Sequence, residues 1–158
     1  MLNLAVKPKN RDVELAYSLL RATLGLNILM HGIARLLMGP VGFAENLVGL
    51  FTKTPLPSWS VYGFGLVLPF IETLLGALLL VGYQTRRALI GGSVLLFALT
   101  FGSSLRQDWE TTGLQLIYTA LYGALLAGVR WNSFSIDLFL HGPAENWTAR
   151  STKSRGRL

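Results

Sequence analysis

The sequence predicts an all-α fold: an integral membrane four-helix bundle with a short amphipathic interfacial helix between helices 1 and 2. Three observations predict it. Hydrophobic residues make up 51% of the chain and charged residues only 14%, against about 25% charged in soluble domains. Mean hydropathy is +0.46. The apolar residues are also gathered into four runs, each near the roughly 20 residues that a helix needs to cross a ~30 Å hydrocarbon core.

At 158 residues the chain has the size of one domain. Residues 1–14 form a polar N-terminal segment of mixed charge, with Lys7, Lys9, Arg11, Asp12 and Glu14. The apolar run behind it is too long for the h-region of a signal peptide, and no small-residue cleavage site follows, so it is expected to stay in the mature protein. The membrane domain covers residues 15–130. Its first span, about 15–38, stops at the breaker pair Gly39-Pro40. In the link over 41–58, Phe43, Leu47, Leu50 and Phe51 recur at helical spacing beside polar Glu45, Asn46 and Lys53. That pattern reads as a helix lying on the membrane surface, with a lid across the mouth of the bundle as the alternative. The second span, about 59–81, follows Pro55 and Pro57 and ends at Gly82; the third is about 87–105 and the fourth about 112–129. Along the fourth, Thr119, Gly123 and Ala127 form a small-residue line suited to close helix packing. Residues 131–158 are an amphipathic stretch (Phe134, Ile136, Leu138, Phe139, Leu140) followed by a basic tail.

Charge sets the orientation. The net charge is +6, but the basic residues lie at the two ends and in one short turn, without the aromatic-interleaved face of a single-strand binder. No nucleic acid is called for. With the N-terminus, the turn at Arg86-Arg87, Arg130 and the tail on one side, only Lys53, Arg106 and Arg35 lie toward the other. The positive-inside rule then makes both termini cytoplasmic. On that side Asn146-Trp147-Thr148, a glycosylation acceptor by sequence, would not be modified.

Ionisable and polar residues inside a membrane are costly, so each is a candidate for function. The first span carries Arg21, Asn27, His31 and Arg35; the last three are spaced i, i+4, i+8 on one helix face. The second carries one acid, Glu72, and the fourth carries Gln115 and Tyr118. Matching the centres of the two spans sets Glu72 near the level of Asn27, with Arg21 within reach and His31 less comfortably so. An isolated carboxylate at that depth would be protonated. Glu72 is therefore either ion-paired with Arg21 or neutral and hydrogen-bonded to Asn27 or His31. On the structural reading the Arg21–Glu72 pair only clamps two helices. On the functional reading these residues, with Arg35, Gln115 and Tyr118, line a polar pocket. There the catalytic candidates His31 and Glu72 exchange a proton with a quinone-type or other small apolar substrate.

The chain has no cysteine, which removes disulfides, thiolate metal sites and covalent haem. Haem b needs two facing histidines, and the second histidine, His141, lies beyond the end of the bundle. No metal-ligand motif is present, and none is expected.

Leu20-Arg21 followed by Gly25, His31-Gly32 with Arg35-Leu36, Glu72 followed by Gly76 and Leu79-Leu80, then Gly82 and Arg86-Arg87 form a recognisable order. In this the chain resembles the DoxX/DoxD-like family of four-helix membrane proteins, over roughly residues 15–130. The family more often has Lys at the position of Arg35, and the long first loop and basic tail fall outside its pattern. The resemblance implies a bacterial or archaeal inner-membrane protein and a place in a quinone-linked electron-transfer complex. A quinone would be its cofactor or substrate, and other subunits of a membrane complex its partners. It singles out Arg21, His31 and Glu72. Two other functions compete: a purely structural accessory subunit, and a small-solute transporter. The absence of an internal repeat counts against the transporter.

Overall fold

The structure, a computed structural model, describes residues 11–141. The expectations for the first ten residues and for the tail beyond His141 lie outside the described residues. Within them the chain is all-helical, with no strand: α1 is Arg11–Met38, α2 Pro40–Leu50, α3 Ser58–Val81, α4 Thr85–Leu105, α5 Trp109–Ala127 and α6 Ile136–His141, with a 3-10 turn at Val129–Trp131. Three helices, α1, α3 and α4, are long and apolar enough to cross a membrane, which marks the chain as a membrane protein. The fourth expected span is a helix of 19 residues but a less apolar one. Glu110, Gln115, Tyr118 and Tyr122 lie along it.

Local chemistry explains the boundaries. Gly39 adopts φ 92°, which a side chain would resist, and Pro40 opens α2 at its first turn. One residue thus separates α1 from α2. Gly82, at φ 71°, ends α3 in a left-handed cap, with the Tyr83 N–H returned to the Leu78 carbonyl at 2.9 Å. At the head of α5 the Asp108 side chain accepts the Thr111 backbone N–H at 3.1 Å and the Thr111 hydroxyl at 2.9 Å. This cap starts the helix at Trp109, three residues before the apolar run at 112 suggests.

The tightest packing is between α1 and the antiparallel α3. Gly32 lies against Pro69 and Thr73, Gly76 against the backbone of Leu29, and Gly25 against Leu79 and Leu80. A Cβ at any of the three would overlap backbone across the interface, so glycine lets the helices meet closely. α3 also packs on α4, and α4 on α5, where the Tyr122 ring covers Gly92. α1 and α5 meet mainly at one end, around Tyr17, Leu125 and Trp131. Leu24, Ile28, Leu68, Leu75, Leu79, Leu89, Leu96 and Leu125 fill the core. Leu26, Leu74, Val94, Phe97, Leu116 and Ile117 face outward. A helix that is apolar both inside and outside suits hydrocarbon surroundings.

The segment after α5 docks on the bundle end rather than only skimming a surface. Asp137 is 3% exposed, and its carboxylate accepts the backbone N–H groups of Gln84 (2.7 Å) and Thr85 (2.8 Å). It caps α4, whose own Gln84 supplies no side-chain cap. Asn132 adds a 2.9 Å bond to the Thr85 hydroxyl. Phe134, Ile136, Phe139 and Leu140 still face outward, as an amphipathic stretch requires.

Candidate functional site

α2 lies across α3, and the fully buried Ala44 is seated on Gly65. A Cβ at Gly65 would approach Ala44 Cα to 2.9 Å, so both residues must be small for α2 to seat. Under α2 is a cavity of about 410 Å³, within the ~300–1,000 Å³ range of small-molecule sites. Phe43, Leu47 and Phe51 bound it from α2 and the chain just after it, Phe64 and Leu68 from α3, Leu99 from α4. Its polar groups are Arg35, Ser103, Arg106, Thr111 and Gln115, with Ser60 at the margin.

Each arginine is held the same way, by one carboxylate and one ring. Arg35 forms an ion pair with Glu72 and lies over the Phe43 ring, 5.0 Å from its centroid. Arg106 pairs with Asp108 at 3.3 Å and lies 5.5 Å from the centroid of Phe51. Both distances are within the ~6 Å over which a ring face attracts a cation. The backbone N–H of Thr111, then its hydroxyl, hold the Asp108 carboxyl below the usual carboxylate range, and Arg106 acts in the same direction. The anion that orients Arg106 is thus present throughout the neutral range. Beside this pair, at the α4–α5 turn, the Ser103 hydroxyl donates to Gln115 Oε1 at 2.8 Å and lies 2.8 Å from the Thr112 hydroxyl, which itself donates to the Asp108 carbonyl. This fixes Gln115 by its oxygen and leaves its amide nitrogen for a guest.

The expected ion pair is corrected: Glu72 pairs with Arg35, not with Arg21. The α1–α3 contacts set the register, with Gly32 facing Thr73 and Leu29 facing Gly76, so Glu72 is level with Ile33 rather than Asn27. Arg21 is then about 18 Å further along the helix. Span centres misled because the two helices are offset along their axes: in this register the first turns of α3 run past the end of α1 at Met38, where Gly65 meets Ala44 of α2, and the first turns of α1 run past the end of α3 at Val81. Arg21 instead donates to the carbonyls of Leu79, Leu80 (3.3 Å) and Phe134 (2.8 Å), closing the C-terminal end of α3 and tying down the segment after α5.

Asn27 and His31 are exposed on the outer surface of α1 and do not line the cavity. The i, i+4, i+8 face therefore divides, and only Arg35 turns inward. Gln115 lines the cavity, whereas Tyr118 packs against the apolar core. Glu72, 3% exposed, stands behind the wall as the partner of Arg35. Sequence reasoning counted Arg106 only as a charge and missed Ser103, Phe43 and Phe51 as site residues. The Arg106-Gln107-Asp108 turn, pairing a cation with a helix cap, was the available signal.

Among the described residues, no histidine, carboxylate or tyrosine lines the cavity, and no group of three potential metal ligands is gathered anywhere. The walls can hold and orient an apolar molecule that carries hydrogen-bond acceptors. Arg35 and Arg106 supply several N–H donors each, and both charges are already balanced, which favours a neutral guest over an anion. Comparison with known proteins finds no match to this chain among protein families, curated proteins or solved structures.

Proposed function

We propose that the chain is a DoxX-like subunit of a quinone-linked redox complex in a bacterial or archaeal inner membrane, and that its cavity binds the head of a quinone-type amphiphile. In this reading α5 is the fourth span. Its 19 residues reach about 28 Å, and its outward residues Leu114, Leu116 and Ile117 are apolar while Thr112, Tyr122 and Gln115 turn inward. Arg86, Arg87 and Arg130 lie at one end and the cavity at the other, so the positive-inside rule makes the termini cytoplasmic and opens the cavity near the outer face. α2 serves both as the interfacial helix and as the lid.

The observation that carries the reading is the cavity itself: apolar and aromatic walls with two carboxylate-balanced guanidiniums and one amide as donors. A quinone ring is flat and apolar with a carbonyl at each end, so donors on separate walls can hold both oxygens. With no titratable acid or base on the lining, the chain positions the ring, and electron and proton transfer falls to a partner subunit. This also explains Glu72 as the counterion of Arg35 rather than a proton donor. The test is binding of a short-chain quinone to the protein in lipid nanodiscs. Saturable binding is expected. Arg106→Leu and Gln115→Leu should each weaken it about tenfold, the effect of losing one hydrogen bond to the guest. Unchanged affinity in both variants, or no saturable binding by the unaltered protein, overturns the reading.

The structural-accessory reading keeps one observation in its favour: the Arg35–Glu72 pair joins α1 to α3 whatever the cavity holds. A protein that carries no quinone yet co-purifies with a larger membrane complex would fit it.

A further inference from the structure

At the basic end of the bundle, away from α2, a groove of about 220 Å³ lies between α1 and the end of α5. The buried Tyr17 and Leu125 form its floor, and Leu20 and Trp131 stand at its rims. Ala16, Ala124 and Gly128 also line it and add almost no side chain, which leaves a slot. The Tyr17 hydroxyl is buried, so only its ring faces the groove and the lining side chains are apolar. The two helices run antiparallel here, with Tyr17 against Gly128. The groove follows α1 from Val13 to Leu20, about 10 Å of helix.

At its mouth the chemistry changes. The Arg130 guanidinium lies over the Trp131 ring, 4.3 Å from the centroid. Of the three arginines stacked on rings among the described residues, Arg130 alone has no carboxylate partner. A guanidinium stacked by its face keeps its in-plane N–H donors, the fork that fits a phosphate. Arg86 and Arg87 are exposed at the same end. Of the acids there, Asp137 is buried and occupied by the amides of Gln84 and Thr85, Glu14 is buried, and exposed Asp12 is offset in charge by Arg11 beside it.

We propose that this groove is a site for an anionic phospholipid, with one acyl chain in the slot between α1 and α5 and the phosphate on Arg130. A soluble phosphate would meet only the exposed arginine, and a plain hydrocarbon only the slot. A phospholipid fills both, with Trp131 at the level where headgroup meets hydrocarbon. The excess of positive charge around the mouth favours a headgroup with a net negative charge over a zwitterion, whose amine is repelled. The proposal rests on α5 crossing the membrane beside α1 and is independent of what the cavity under α2 binds.

Trp131 reports on the site directly. Trp59 and Trp109 are exposed; changing them and Trp147 to Phe leaves Trp131 as the only indole in the full chain. In phosphatidylcholine nanodiscs, phosphatidylglycerol brominated in its acyl chains should quench Trp131 at about one-tenth the mole fraction that brominated phosphatidylcholine needs. Arg130→Gln should remove that preference. Ala124→Phe, which fills the slot and leaves Arg130 in place, should remove it too. Native mass measurement of the unaltered protein, from nanodiscs of the two lipids in equal parts, should retain phosphatidylglycerol selectively, which covers a variant that fails to fold. Retention of both lipids alike, a preference that survives either substitution, or displacement by soluble glycerol phosphate each overturns the proposal. Equal quenching by the two lipids overturns this site alone, whereas quenching by neither places α5 outside the bilayer and removes the fourth span with it.

Discussion

Arg21 and Arg35 lie on one helix and serve opposite ends of it. Arg21 is 3% exposed and gives its N–H groups to backbone carbonyls at the close of α3. A cation at a helix C-terminus meets both the dipole and the orphan acceptors. Arg21→Leu should therefore cost about 3 kcal/mol, the effect of leaving one buried and two part-buried carbonyls without their donor, and Arg21→Lys should recover only part, because an ammonium lacks the fork that reaches both segments of chain. Arg35 belongs to an ion pair whose acid is buried and whose base is partly exposed. Glu72→Gln should cost about 2 kcal/mol once the exposure of Arg35 is allowed for. The double change Arg35→Met with Glu72→Leu should restore stability, since an apolar pair of similar volume removes the burial cost of both charges. Unfolding titrations in mixed micelles measure both. A double variant as unstable as Glu72→Gln would show that the pair does more than join two helices.

Whole helices are positioned by a few contacts that no single segment specifies. The apolar runs, the Gly39-Pro40 break and the Gly82 stop are visible in the chain, because length, composition and backbone restriction act locally. Gly25, Gly32 and Gly76 are visible too, but as members of a motif; only the packed pair shows them to be the places where α1 and α3 touch. Asp137 is the clearest case of a remote determinant. It caps α4 from 52 residues away, and nothing in the sequence around Gln84 announces it. Asp137→Ala should cost about 1–2 kcal/mol, the value of a helix cap. It should also speed hydrogen exchange at the amides of Gln84 and Thr85 together with residues 132–141, leaving α2 unchanged. Faster exchange confined to 132–141 would mean that α4 is capped by other means.

The molecule as a whole has two unlike ends. One gathers Arg21, Arg86, Arg87, Arg130 and the docked α6; the other holds Lys53, Arg106 and the cavity under α2. In the proposed orientation the basic end is cytoplasmic. Lys53→Cys should then react with an impermeant thiol reagent on intact cells, and Arg87→Cys only after lysis; the reverse pattern would invert the topology and put the cavity on the inner side. In that proposed orientation the cavity under α2 would face the outer side and could receive a guest from the bilayer without a water path, which would suit a membrane-soluble ligand better than a transported solute.

By itself the sequence determined the class of protein, because membrane insertion depends on apolar length and the distribution of charge, and both are properties of the linear chain. It also nominated the polar residues of α1 and α3, since any ionisable group in an apolar run is conspicuous. The tertiary structure alone decided which of them meet. Register between α1 and α3 is set by three glycine contacts, and these bring Glu72 to Arg35 and leave Arg21 at the far end. Rotation of α1 about its axis turns Arg35 into the cavity and Asn27 and His31 out of it. Periodicity places residues on a common face, but which part of that face looks inward depends on where the neighbouring helices stand, and that follows only from packing.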